Sequence, residues 1–260
     1  MSATTRLRGA VQRRPWASSV AVVLTHLLLM VVVSRALPLL RSLGLPPGFP
    51  ELGATVVNLF GLAFGLGLVA ALGWWHEIGL TRLWPRRDAW LLLPLVAVSG
   101  SLSLWGLHGS PAAWLGGAVL YLALGLNEEV LNRGVVQQAL SGLSVRAGVL
   151  GSAALFGAGH IVNGLFFGRA WGDTAAQVVS NVCIGVAFAA VRWRTESLWP
   201  LIVLHGVGNL LIWRSGPVPR VLFLLIAVVN LTYGLWLLRR LEREPPPAQR
   251  TAQPVSSANG

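Results

Sequence analysis

Six polar side chains interrupt apolar stretches of this chain, and their types are those of a hydrolytic site: Glu128, Glu129, Arg133, His160, His205 and Asn209. Glu128 and Glu129 stand side by side at the end of an apolar run that starts near Pro111. An ionisable residue near a bilayer centre costs about 2.5–3.5 kcal/mol on insertion scales, and adjacent like charges also repel. Something must compensate. Arg133 follows Glu129 by four residues, one helical turn, where an intrahelical ion pair is available. Glu128 points about 100° away around the same helix and lacks that partner. One carboxylate is thus assigned to structure and the other is free for chemistry, unless the pair only marks a helix end at the interface. His205 and Asn209 are one turn apart and face the same way. His160 closes the run Leu155-Phe156-Gly157-Ala158-Gly159-His160, and glycines flank both histidines. A lone histidine in an apolar helix is most simply a hydrogen-bonded core residue. Two imidazoles, two carboxylates, a carboxamide and a guanidinium on three apolar runs are harder to assign to packing. A carboxylate base can take a proton from water, and preorganised donors can meet a developing oxyanion. Such chemistry needs no serine or cysteine nucleophile.

The elements that must position these groups are membrane helices. Hydrophobic residues make up 54% of the chain and charged ones only 11%, where soluble domains carry about a quarter charged residues. Apolar runs approach the roughly 20 residues that a spanning helix needs. The expected fold is therefore all-α, a polytopic transmembrane bundle of about eight spans: 17–37, 52–73, 88–107, 112–140, 146–166, 174–191, 198–213 and 218–238. Six spans with two re-entrant segments fit nearly as well. Segment 1–16 reads as a basic cytoplasmic N-terminus, 17–238 as the membrane domain and 239–260 as a disordered cytoplasmic tail. Arg6, Arg8, Arg13 and Arg14 ahead of a run of this length favour an uncleaved signal anchor over a signal peptide.

The net charge of +11 does not point to nucleic acid, because the arginines gather at the ends of apolar runs. With eight spans, 14 arginines fall on one side and 5 on the other, Arg133 set aside. That bias places both termini in the cytoplasm. Cys183 is the single cysteine, so an intrachain disulfide and a cysteine-based metal cluster are excluded. His26, His76 and His108 read as interfacial or packing residues. His76-Glu77 lacks the second histidine of a zinc helix, no GxSxG elbow occurs, and Asp173 lacks the GxGD context of intramembrane aspartyl proteases.

Glu128-Glu129-Val130-Leu131-Asn132-Arg133-Gly134 resembles the EExxxR(G) motif of the CPBP intramembrane proteases, which include CAAX prenyl-protein endopeptidases and Abi-type bacteriocin-processing or immunity proteins. Phe156 with His160 is similar to the family's FxxxH motif, and His205 with Asn209 to its HxxxN/D motif. Trp199-Pro200 ahead of the last motif also looks typical. The resemblance covers roughly residues 112–215. It implies a helical-bundle endopeptidase whose site opens toward the cytoplasmic leaflet, in an integral membrane protein of a bacterial plasma membrane. It implies that Glu128, with His160, activates a water, that His205 and Asn209 bind the oxyanion, and that Glu129 with Arg133 holds the site together, with Phe156 in support. Glu128, His160 and His205 could also bind zinc with one open position, or serve without metal. The expected partner is a peptide or protein substrate, membrane-anchored or not, within the lipid bilayer. Two other readings stay open: a non-catalytic immunity or scaffold protein of the same fold, and a transporter or proton relay using the same polar groups.

Overall fold

The computed structural model describes residues 2–42, 51–84 and 88–243. The prolines at 46, 47, 50 and 85, Arg86, Arg87 and the tail from residue 244 lie outside these. The described chain is all helical, apart from one isolated pairing of Leu107 with Ser215. A short basic helix α1 (Ala3–Arg13) precedes α2 (Pro15–Ser42) and α3 (Leu52–Leu72). After a turn-rich stretch come α4 (Leu93–Ser101) and α5 (Pro111–Glu129). A π-helical segment, Val130–Val136, continues α5 without a break into α6 (Gln137–Ser141). Then follow α7 (Val145–Gly159), α8 (Val162–Phe166), α9 (Trp171–Thr195), α10 (Trp199–Arg214) and α11 (Arg220–Arg243). The last helix runs five residues beyond the expected edge of the membrane domain.

Local sequence sets these boundaries. The Ser110 hydroxyl accepts from the Ala113 N–H and Pro111 occupies the first turn of α5, so the side-chain cap and the proline ring both favour a start there. Ser144 caps α7 in the same way through Ala147 N–H, and Pro200 sits in the first turn of α10. Gly73, at φ 62°, ends α3 in the left-handed conformation that glycine adopts without strain.

Five helical segments are long and apolar enough to cross a membrane: Pro15–Leu39, Leu52–Leu72, Val145–Phe166, Trp171–Thr195 and Arg220–Arg243. The stretch Ala89–Trp105 is apolar but shorter. α5 and α10 also fall outside that group, α5 because Asn127, Glu128 and Glu129 dilute its hydropathy, α10 because it has 16 residues. Two of the three helices expected to carry the site are thus among the least membrane-like by composition, while α7 belongs to a candidate span. Each nevertheless packs inside the bundle.

Small residues set the closest approaches. A Cβ on Gly125 of α5 would lie 2.5 Å from the Ile202 carbonyl oxygen of α10, and one on Gly206 would lie 2.8 Å from the Tyr121 carbonyl. α5 and α10 therefore touch backbone to backbone. Gly157 brings α7 against the Val178 carbonyl of α9, and Gly234 brings α11 against Ala187 of α9. α9 is the central post, its stretch Val186–Val191 buried between α7 and α11 in the largest apolar cluster. These contacts are the small-residue packing through which helices associate where water supplies no driving force.

One end of the bundle is laced by polar contacts to backbone carbonyls. Arg192 donates to the carbonyls of Ile78 (3.0 Å) and Glu77 (2.6 Å), and Trp199 Nε1 donates to Leu80 (2.9 Å). Arg8 of α1 donates to the carbonyls of Leu72 and Gly73 at the end of α3 and pairs with Glu77 at 3.3 Å. Leu72 ends α3, where carbonyls lack an intrahelical partner, and the other carbonyls lie in the loop that follows. Arg8 of α1, Arg192 near the end of α9 and Trp199 at the start of α10 thus fasten three helices to one loop.

The α5–α10 crossing generates a direct test. Gly125→Ala is expected to cost about 1–3 kcal/mol through overpacking against a rigid carbonyl. Gly67→Ala, where a Cβ meets nothing within 4 Å, is expected to be neutral or stabilising by about 0.5–1 kcal/mol. Thermal unfolding of the two detergent-purified variants separates them, and equal midpoints would contradict the crossing.

Candidate active site

The α5–α10 crossing decides where the polar residues meet. Gly125 lies one turn before Glu128 and Glu129, and Gly206 directly follows His205, so the backbone contact lays His205 against the paired glutamates. Its Nδ1 stands 2.6 Å from Glu129 Oε1 and its Nε2 stands 3.3 Å from Glu128 Oε2. Arg133 Nη1 donates to the same Glu129 oxygen at 3.0 Å, with both side chains fully buried. The expected intrahelical pair is therefore formed, and His205 from another helix joins it.

A carboxylate only accepts hydrogen bonds. His205 can bond both glutamates only by carrying hydrogen on both nitrogens, or by leaving the proton on one carboxyl. In the first case two carboxylates, a guanidinium and an imidazolium sum to no net charge. Neutrality of the cluster offsets the cost of burying each charge singly.

Arg133 Nε and Nη2 and Glu129 Oε2 have no hydrogen-bond partner among the described residues. The guanidinium is instead covered by rings, its carbon 4.1 Å from the Phe156 centroid and 5.5 Å from that of Phe188. A cation over an aromatic face gains most when water is excluded. The same two rings meet His205 edge to face, at 6.0 Å for Phe156 and 5.9 Å for Phe188. Phe188, on central helix α9, was not singled out in the sequence. It sits in a run of apolar residues, and nothing in its spacing marks it.

His160 closes α7. Its Nδ1 lies 2.9 Å from the Phe156 carbonyl oxygen, and its ring meets the Phe156 ring edge to face at 5.0 Å. The carbonyl accepts, so Nδ1 carries the hydrogen, and in the neutral ring Nε2 keeps its lone pair. Phe156 thus touches His160, His205 and Arg133 together. No direct ion pair joins His160 to either glutamate among the described residues. Asn209 is one turn beyond His205, and its Nδ2 donates to the His205 backbone carbonyl at 3.1 Å.

Accessibility separates the two glutamates. The side chain of Glu129 is 0% exposed and that of Glu128 is 20% exposed, with His205 at 13%. Glu128 is the carboxylate at the edge of the cluster. The π segment begins directly after Glu129, and Asn132 within it donates to the Glu128 backbone carbonyl at 2.9 Å. π turns inside α-helices are frequent at functional sites.

Behind the glutamates runs a polar chain that sequence reasoning passed over. His26 of α2, read there as interfacial or packing, is buried with Nε2 2.9 Å from Asn127 Oδ1. Asn127 Nδ2 donates to Asn58 Oδ1 of α3 at 3.1 Å. A Cβ on Gly61 would stand 2.5 Å from Asn127 Oδ1 and 2.8 Å from His26 Nε2. The chain joins three helices immediately beside Glu128. Asn127 and Asn58 were the available signal, as amides inside apolar runs.

Glu128, His160 and His205 do not converge as a ligand set. Among the described residues no three His, Cys, Asp or Glu side chains form a group that could hold a metal ion. Both His205 nitrogens are turned to carboxylates, Nδ1 to Glu129 and Nε2 to Glu128.

All these residues except Phe188, His26 and Asn58 come from α5, α7 and α10 and the segments that join them. Residues 109–211 match the family model described as type II CAAX prenyl endopeptidase Rce1-like. This segment is Rce1-like. It holds Glu128, Glu129, Arg133, Phe156, His160, His205 and Asn209, so the polar cluster lies wholly within the part of the chain that is similar to that family. No curated protein matches the chain, and no solved structure does.

Two substitutions test the cluster by thermal unfolding in detergent. Arg133→Met strands the buried Glu129 carboxylate and is expected to cost about 3–5 kcal/mol. Gly61→Ala, which drives a methyl into the His26–Asn127 bond, is expected to cost about 1–3 kcal/mol, and a wild-type midpoint would disprove that contact.

Proposed function

We propose that this protein is an intramembrane endopeptidase that hydrolyses a peptide bond with a water activated by Glu128. The observation that carries the reading is the division of labour between the glutamates. Glu129 is sealed, with its Oε1 taken by both Arg133 and His205, whereas Glu128 is partly open and, among the described residues, its carboxylate meets His205 at 3.3 Å. A general base must reach the proton it abstracts. Glu128 can do so and Glu129 cannot.

His160 supplies the second acceptor. With Nδ1 committed to the Phe156 carbonyl, its Nε2 lone pair can orient the same water between the two helices. Glu128 takes the proton as the water oxygen bonds to the substrate carbonyl carbon. His205 Nε2–H, held at 3.3 Å by Glu128, loses its acceptor's charge as Glu128 becomes protonated. That donor then turns to the new oxyanion, and Asn209 offers its remaining amide hydrogen one turn away. Oxyanion donors of this kind contribute about 2.7–4 kcal/mol each where they have been removed. Collapse of the intermediate breaks the C–N bond, and the proton on Glu128 passes to the departing amine. The substrate class is a peptide or protein that reaches the site through the bilayer of a bacterial plasma membrane, with the arginine-rich side of the bundle turned to the cytoplasm.

The test is cleavage of a library of lipidated and unlipidated peptides by the detergent-purified full chain. Glu128→Ala and His160→Ala are each expected to lower the rate on the order of 100-fold or more, and Asn209→Ala by a smaller factor. A chelator is expected to leave the rate unchanged. Cleavage that survives Glu128→Ala overturns the mechanism and brings forward the non-catalytic immunity or scaffold reading.

A further inference from the structure

Away from the glutamates, α1 lies over a cavity of about 230 Å³ that reaches α2, α3, the π segment and α6. Leu7 and Val11 of α1, Leu72 of α3, and Val136 and Ala139 line it. An apolar cavity of this kind stays dry and takes an apolar guest, and one of about 150 Å³ already accepts benzene.

One polar atom breaks that wall. Ser19 of α2 lines the cavity, is 1% exposed, and its hydroxyl has no hydrogen-bond partner among the described residues. A buried hydroxyl left without an acceptor is destabilising. Ser19 lies one turn along α2 from Pro15, about 6 Å inward from the helix start.

The rim has one sign of charge. The first acidic residue of the chain is Glu51, so nothing in α1 or α2 neutralises the arginines. Arg6, Arg13 and Arg14 are exposed, while Arg8 is turned inward to the carbonyls that end α3 and to Glu77. Leu7 and Val11 share the face of α1 turned to the cavity, and Arg6 and Arg13 share the adjoining face. Trp16, exposed beside them, is the side chain most at home at a membrane–water interface. An amphipathic helix of this build lies in the interface plane and draws anionic lipid.

We propose that this cavity is a site for one anionic phospholipid. An acyl chain fills the apolar space, an ester carbonyl accepts from the Ser19 hydroxyl, and the phosphate meets Arg6, Arg13 and Arg14. The far wall is the segment that directly follows Glu129, so the bound chain braces the helix that carries the glutamates.

Native mass spectrometry of the full detergent-purified chain, titrated with palmitoyl-oleoyl phosphatidylglycerol or the matched phosphatidylcholine, tests this without any assay of cleavage. The expected result is one phosphatidylglycerol bound per chain in preference to phosphatidylcholine. Arg6→Gln with Arg13→Gln, both exposed, is expected to weaken it by about fivefold per arginine. Leu7→Trp, which fills the cavity from its partly open rim, is expected to remove bound lipid of both kinds. Equal binding of the two lipids, or unchanged phosphatidylglycerol binding in either variant, overturns the proposal.

Discussion

A carboxylate with no access to water must be matched where it sits, and the burial of Glu129 is the constraint around which this bundle is organised. Its Oε1 accepts from Arg133 one turn away and from His205 on another helix. The first partner is local and would form in any helix with this sequence. The second exists only because α5 and α10 meet at Gly125 and Gly206, close enough that neither tolerates a side chain. Aromatic rings from α7 and α9 then cover the guanidinium and press on the imidazole. Four helices are thereby committed to one charge cluster.

Such a cluster is costly in an apolar setting, and the composition of the helices reflects it. The segments with the clearest membrane character, including α2, α3, α9 and α11, surround the site and supply the apolar mass. α5 and α10 give up hydropathy or length to hold the polar groups. Burying a paired and nearly neutral set is weak evidence for stability, since apolar replacements of similar volume are often as stable. Under the proposed mechanism the arrangement locks one glutamate as an anchor while its neighbour stays open. The π segment after Glu129 and the amide chain through Asn127 serve the same end by fixing the helix on both sides of the pair.

Much of this was legible in the chain. The all-helical membrane architecture followed from hydropathy, which does not depend on how helices are arranged. The Glu129–Arg133 pair followed from a four-residue spacing. The three motifs lie within the segment that matches the Rce1-like family. The eight-span count did not follow as securely. Among the described residues, five segments have the length and apolarity to cross by themselves, because a helix buried among others needs less hydropathy than one facing lipid.

What the sequence by itself determined was the all-helical membrane architecture, a set of residues able to do acid–base chemistry, and the Glu129–Arg133 pair one helical turn apart. Only the tertiary structure decided which glutamate is sealed and which is open, since that depends on His205 arriving from a helix 76 residues away. It also decided that Phe188 shields the arginine, that His26 and Asn58 join Asn127, and that Ser19 faces an apolar cavity without a partner. Each of these is a meeting of side chains from different helices. Pattern and spacing report the face of a helix, and packing alone selects what that face meets.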